Sequence, residues 1–147
     1  MINDINLRVS STPQAITASA PSENTIDLGT TRDIGEGKPL YFAFTVTTAF
    51  NTLTSLTFAI VASAAADLGS PVTLASTGAI TLASGGLAAG KQYFLQIPPQ
   101  VAALGYRYLG AYYTVGGSNA GAGAVYADIV ETIQDGKKFY ASGIAVS

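Results

Sequence analysis

The stretch Leu40-Tyr41-Phe42-Ala43-Phe44-Thr45-Val46-Thr47 decides the fold class. Leu40, Phe42, Phe44 and Val46 take alternate positions, with Tyr41, Ala43, Thr45 and Thr47 between them. On an extended chain successive side chains point to opposite faces, so this spacing gives one wholly apolar face of residues that favour the β backbone. The run predicts a strand with Leu40, Phe42, Phe44 and Val46 turned into a core. Leu56, Phe58 and Ile60 repeat the period immediately downstream. The run from Ala59 to Leu68 reads as strand followed by loop, because Ile60 and Val61 are β-branched and no capping residue precedes it.

Outward from these two strands the chain alternates short β-prone runs with Gly, Pro, Asn and Asp punctuation, the pattern of an all-β sandwich and not of βαβ units. Gln14–Ala18 and Thr25–Leu28 are short upstream strands, and Val72 with Leu74 and Ile80 with Leu82 mark two more. Lys91–Ile97 places Tyr93, Leu95 and Ile97 on one face before Pro98-Pro99 ends the ladder, since neither proline donates a backbone hydrogen bond. Tyr106–Val115 puts Leu109, Ala111, Tyr113 and Val115 on one side and Tyr106, Tyr108, Gly110 and Tyr112 on the other. Gly116-Gly117-Ser118-Asn119 turns into a strand over Ala124–Glu131, and Asp135-Gly136 into a closing strand over Phe139–Val146. Ala83–Gly90 and Gly116–Ala124 look like low-complexity linkers whose small residues suit close backbone approach.

Length and composition then bound the function. The 147 residues suit one domain over 1–147, with an extended N-terminal arm over about residues 1–13. Hydrophobic residues make up 48% of the chain and charged residues 11%, against about 25% for a usual soluble domain. So thinly charged a surface points to burial against other chains, hence to a homo-oligomer, a dimer before a trimer because two-fold closure is commonest. The chain has no His and no Cys, which removes the usual proton shuttle, thiolate chemistry and the commonest transition-metal ligands. With a net charge of −2 and no basic run longer than Lys137-Lys138, it does not read as a nucleic-acid binder. The longest apolar stretch is interrupted by Ser63 and closed by Asp67, too short for a membrane span, and Met1–Asn6 lacks the pattern of a secretory signal.

Few residue clusters suggest chemistry. Asp33-Ile34-Gly35-Glu36-Gly37-Lys38 concentrates charge and glycine, but Arg32 stands where a phosphate-binding loop needs its first glycine, and Pro39 where it needs Ser or Thr. Asp27, Asp33 and Glu36 have oxygen ligands for calcium without a calcium-loop spacing, so a charged turn is the preferred reading and no cofactor or metal is expected. Asp33 with Glu36, or Asp128 with Glu131, point to opposite faces on an extended chain, and Ser or Thr has no His base here; the protein is expected not to be an enzyme. Tyr106, Tyr108 and Tyr112 remain open among a core face, a subunit interface and a sugar-stacking platform, since tyrosine combines a large ring with a polar tip.

Several segments together resemble the jelly-roll cement, or capsid-decorating, proteins of short-tailed bacteriophage heads. They are Thr25-Ile26-Asp27-Leu28-Gly29, Asp33–Tyr41, Arg107-Tyr108-Leu109-Gly110, Tyr113-Thr114-Val115 and Ala122–Ala127, in order over most of the chain. The resemblance implies an eight-stranded jelly roll that forms homo-oligomers on the outer surface of the virion head and clamps neighbouring major capsid protein subunits; the N-terminal pattern adds the expectation that it is made in the host cytoplasm. The expected fold is thus an all-β, jelly-roll-like antiparallel sandwich. Arg32, Asp33, Glu36 and Lys38 are the capsid-contact candidates, and Tyr106, Tyr108 and Tyr112 the subunit-interface candidates. Gln14–Ala18 and Phe139–Val146, short and uncharged, are the first candidates for strand addition at a sheet edge. The alternative is a carbohydrate- or receptor-binding sandwich that uses the tyrosines.

Overall fold

The alternation at Leu40–Thr47 is realised in a strand that runs over Tyr41–Asn51, in which Phe42, Phe44 and Val46 are wholly buried. Leu40 sits half-buried just ahead of it. The computed structural model of the chain describes residues 4–34, 37–101 and 104–131. In chain order its strands are β1 (Arg8–Ala15), β2 (Ala20–Pro21), β3 (Ile26–Asp27), β4 (Tyr41–Asn51), β5 (Ser55–Ser63), β6 (Val72–Ser76), β7 (Ile80–Thr81), β8 (Gln92–Gln96), β9 (Tyr108–Gly116) and β10 (Ala122–Val130). Short 3-10 turns at Ile5–Leu7 and Leu82–Ser84 are the helical elements assigned among the described residues.

The strands form two antiparallel sheets, one ordered β1-β10-β4-β8 and the other β2-β9-β5-β6. β3 also pairs with β9, and β7 with β5, so each of these short pairs fills one strand position and the sandwich has the eight-position, double Greek-key order of a jelly roll. Among the described residues, only the connection from β5 to β6 joins hydrogen-bonded neighbours by a simple hairpin. β9 and β10 lie in different sheets, so the Gly116–Asn119 turn carries the chain across the sandwich and does not close a hairpin.

Aromatic rings fill the space between the layers. Phe44 of one sheet stacks on Phe58 of the other at 5.1 Å, and Tyr113 meets both edge-on at 6.3 and 6.0 Å. Phe42 extends the stack along β4, and Tyr93 extends it from Phe58 towards β8. One polar thread also crosses the core. Ser10 Oγ lies 2.6 Å from the Tyr113 hydroxyl and donates to Gln14 Oε1 at 2.6 Å, so Tyr113 is the donor to Ser10. Burial pushes the Tyr113 hydroxyl above the ordinary tyrosine range. It therefore stays protonated and keeps that donor.

Several boundaries differ from the sequence reading. Residues 8–13, expected in an arm, belong to β1, because Arg8 and Ser10 pair with Asp128 and Ala127 of β10. The strand expected over Gln14–Ala18 therefore starts earlier and ends at Ala15. Ala83–Gly90 is no linker: Leu87 is wholly buried, its carbonyl accepts from Phe50 N at 3.1 Å, and Gly90 N donates to Val46 O at 2.8 Å. The glycine-rich approach to β10 has a packing reason, since a Cβ on Gly123, at φ +142°, would lie 2.1 Å from the Phe50 ring. The closing strand expected over Phe139–Val146 lies outside the described residues.

Phe44→Ala is expected to cost about 3 to 5 kcal/mol, because it empties the middle of the aromatic stack. Thr45→Ala, on the opposite face, should cost under about 1 kcal/mol. Urea melts of the two variants measure the difference.

Candidate interaction surface

An apolar groove lies at the end of the sandwich where β3 leads towards β4. Its volume is about 320 Å³, and Leu7, Ile26, Leu28, Ile34, Leu40 and Ile129 line it, with Val130 and Glu131 at one side. Ile5, in the neighbouring 3-10 turn, is 75% exposed. The residues between β3 and β4 place Leu28, Ile34 and Leu40 on the groove wall, while Thr30, Thr31, Arg32, Asp33 and Lys38 are exposed.

Glu131 lines the groove, and Arg8, Asp27 and Asp128 are sequence neighbours of its apolar lining residues. Asp27 accepts both Arg107 Nε and Nη2, at 2.6 and 2.7 Å, and also the backbone N–H of Gly29 at 2.7 Å. Leu28 N donates to Arg107 O at 3.0 Å, which ties the turn to the start of β9. The Arg107 hydrogen bonds, with the Gly29 N–H, hold the Asp27 carboxyl down at about 2. Lys38 pairs with Glu131 beside the groove. Arg8 pairs with the buried Asp128 at 2.5 Å and lies over the Tyr126 ring at 4.2 Å. An apolar centre with a charged rim is the anatomy of a protein-docking surface.

The expected contact residues fall on this feature unevenly. Arg32 and Asp33 are exposed in the β3–β4 connection, and Lys38 is exposed in its ion pair with Glu131. Glu36 lies outside the described residues. Asp27, weighed as a calcium ligand, has both oxygens engaged by Arg107, and no group of three or more His, Cys, Asp or Glu that suits a metal occurs among the described residues. Among those residues no helix is long and apolar enough to cross a membrane.

The three tyrosines do not form one platform. Tyr106 precedes β9 and packs against the main core, whereas Tyr108 and Tyr112 lie on the outer face of β9 over Ala59, Val61 and Leu68. Gly110 stands between them because a Cβ there would lie 2.6 Å from Leu68 Cδ1 and 3.0 Å from Ser22 Oγ. The loop after β5 thus lays Leu68 onto the sheet and takes up much of the tyrosine surface. Sequence reasoning missed Leu7, Ile26 and Ile129 of the groove and the Asp27–Arg107 pair. Apolar residues at strand ends carry no period, and a pair 80 residues apart carries no local spacing.

A family model described as Bbp16 matches residues 10–129, from β1 to the end of β10. No curated protein matches the chain.

Asp27 should titrate near 2 and not near its ordinary 3.8. Because its folded value is depressed, its pairing with Arg107 supports the fold above the unfolded value and is lost as pH falls through about 2. Carboxyl-carbon NMR titration reads the midpoint directly, and Arg107→Ala should raise it only part of the way to the ordinary carboxylate range, because the Gly29 N–H bond remains.

Proposed function

The chain belongs to the Bbp16 family, and we propose that it is a structural virion protein of a tailed-phage head. In this reading it sits on the outer surface of the capsid and clamps neighbouring major capsid protein subunits. The observation that carries the proposal is the apolar groove formed by Leu28, Ile34, Leu40 and Ile129, set beside the Lys38–Glu131 and Asp27–Arg107 pairs. It is a surface suited to a protein partner: the apolar centre supplies burial, and the charged rim sets register and encounter rate.

The supporting features are mechanical as well as chemical. A jelly roll whose connections pass repeatedly between its sheets resists shear, because sliding one sheet over the other strains several connections together. A decorating protein that touches two capsid subunits at once makes their separation break its own contacts as well, so weak individual contacts combine into a strong clamp. No role in this reading calls for a reactive side chain.

Heads that lack this protein are expected to assemble and then to break at a lower temperature, or under packaged genome, and adding the purified protein back should restore them. Ile34→Asp should weaken add-back about tenfold or more, which corresponds to roughly 1.4 kcal/mol. Reversing charge at Arg32 and Lys38 should weaken it most at low salt, where screening is least. Binding isotherms to stripped heads, with thermal melts of the free variants as control, measure both effects. Stripped heads as heat-resistant as complete ones, with glycan binding in their place, would mean the receptor-binding reading is the right one.

A further inference from the structure

The loop that follows β5 is held to the molecule by a single side chain. Across residues 64–70, Ala64, Ala65, Ala66, Asp67, Gly69 and Ser70 are exposed, and Leu68 alone is buried, at 3% exposure. Leu68 lies on the outer face of the sheet that holds β9 and β5, against Ala59 and Val61, with Tyr108 and Tyr112 half-buried beside it. Gly110 gives it room, because a Cβ there would lie 2.6 Å from Leu68 Cδ1. This small cluster is separate from the main core, towards which Phe58, Ile60, Leu109, Ala111 and Tyr113 of the same two strands point.

The closed loop is strained and bonded to itself. Leu68 and Ser70 hold φ of +57° and +48°, in the left-handed region that residues with a side chain avoid. Ser70 also precedes Pro71, and a proline ring favours extended backbone in the residue before it. Leu68 N donates to Ala65 O at 3.1 Å, Gly69 N to Asp67 Oδ1 at 2.9 Å, and Ser63 Oγ to Gly69 O at 2.7 Å. Among the described residues, the hydrogen bonds of this loop stay within residues 63–69. The pairing of β5 with β6 begins at Ala62 with Val72, at the foot of the loop, so the loop can move with both strands in place.

We propose that residues 64–70 are a latch that opens while the sandwich stays folded. Lifting Leu68 releases the left-handed conformations at Leu68 and Ser70 and returns freedom to the loop, against the loss of one buried side chain. Lifting a strand of the sheet would break ladder hydrogen bonds as well, so the latch is the easiest opening on this face. The open form bares a strip of Ala59, Val61 and Gly110, with Tyr108 and Tyr112 on either side of Gly110 along β9. In the closed form Leu68 fills that strip. The face is therefore offered to a partner only while the latch is open, and a partner that binds it holds the latch open.

The test uses the full chain, and the absence of cysteine lets one introduced thiol report one position. Val61→Cys lies under the latch and Ile60→Cys in the main core, and neither position is more than 1% exposed. A maleimide should label Val61→Cys about a hundredfold faster than Ile60→Cys, because the first needs only the latch to open and the second needs global unfolding. Low concentrations of urea should accelerate Ile60→Cys and leave Val61→Cys nearly unchanged, since latch opening exposes little surface. Adding Leu68→Ala should speed labelling of Val61→Cys about tenfold, with a much smaller effect on Ile60→Cys. Nitration by tetranitromethane, mapped by mass spectrometry, reads the same opening without a thiol: Leu68→Ala should raise modification of Tyr108 and Tyr112 and spare Tyr113. Equal labelling of the two thiols with the same urea dependence overturns the proposal, as does a fast Val61→Cys that Leu68→Ala does not alter. The latch is independent of the groove, so its failure leaves the head-binding reading to its own experiment.

Discussion

The contact of Phe44 with Phe58, 5.1 Å between ring centres, joins strands that each pair on both sides within their own sheets, and the rest of the structure is arranged around it. β4 is flanked by β10 and β8, and β5 by β9 and the short strands β6 and β7. With the two rings fixed, Tyr113 takes the edge-on position, and its hydroxyl is held at the level of Ser10 in β1. The sandwich thus draws an edge strand into register through a hydrogen bond inside an apolar core. That arrangement is stable because each atom in the thread has a partner: no buried side-chain nitrogen or oxygen among the described residues lacks one.

How much of this was legible in the sequence depended on period. Leu40–Thr47 and Leu56–Ile60 announce themselves because one face of each strand is wholly apolar, and a shift of one residue would turn every ring to solvent. β1 gave no such signal. Its residues Ser10, Ser11, Thr12 and Pro13 read as an arm, and only pairing with β10 together with the Tyr113 bond makes them a strand. Connections were less legible still. A Gly-Gly-Ser-Asn turn between two β runs suggests a hairpin, yet in a jelly roll most successive strands lie in opposite layers. Nothing local tells a turn within one sheet from a turn between two.

The surface was partly legible. Charge pointed to the Arg32–Lys38 region, and the structure puts Ile34 of that region, with Leu28 before it and Leu40 after it, on the groove wall. What charge could not reveal is the groove itself, because its lining comes from the N-terminal turn, β3, the loop after it and the end of β10. The tyrosine-rich stretch misled in a different way. Tyr106, Tyr108 and Tyr112 share a side on an ideal strand, but β9 begins only at Tyr108, so Tyr106 is free to turn into the core. Period-two reasoning holds inside a strand and fails one or two residues beyond its end.

Charge is unevenly distributed over the molecule. The groove end carries Asp27, Arg107, Lys38 and Glu131, whose exposed ion pairs add little stability, as surface pairs generally do, but can exchange partners when a complementary surface arrives. The β8 side has almost no charge: Lys91 is the only charged residue between Leu68 and Tyr106. A small apolar groove with ion pairs near it suits an exchangeable contact. A groove of about 320 Å³ is small enough to stay exposed without driving aggregation, and the ion pairs near it keep the same end of the molecule hydrated.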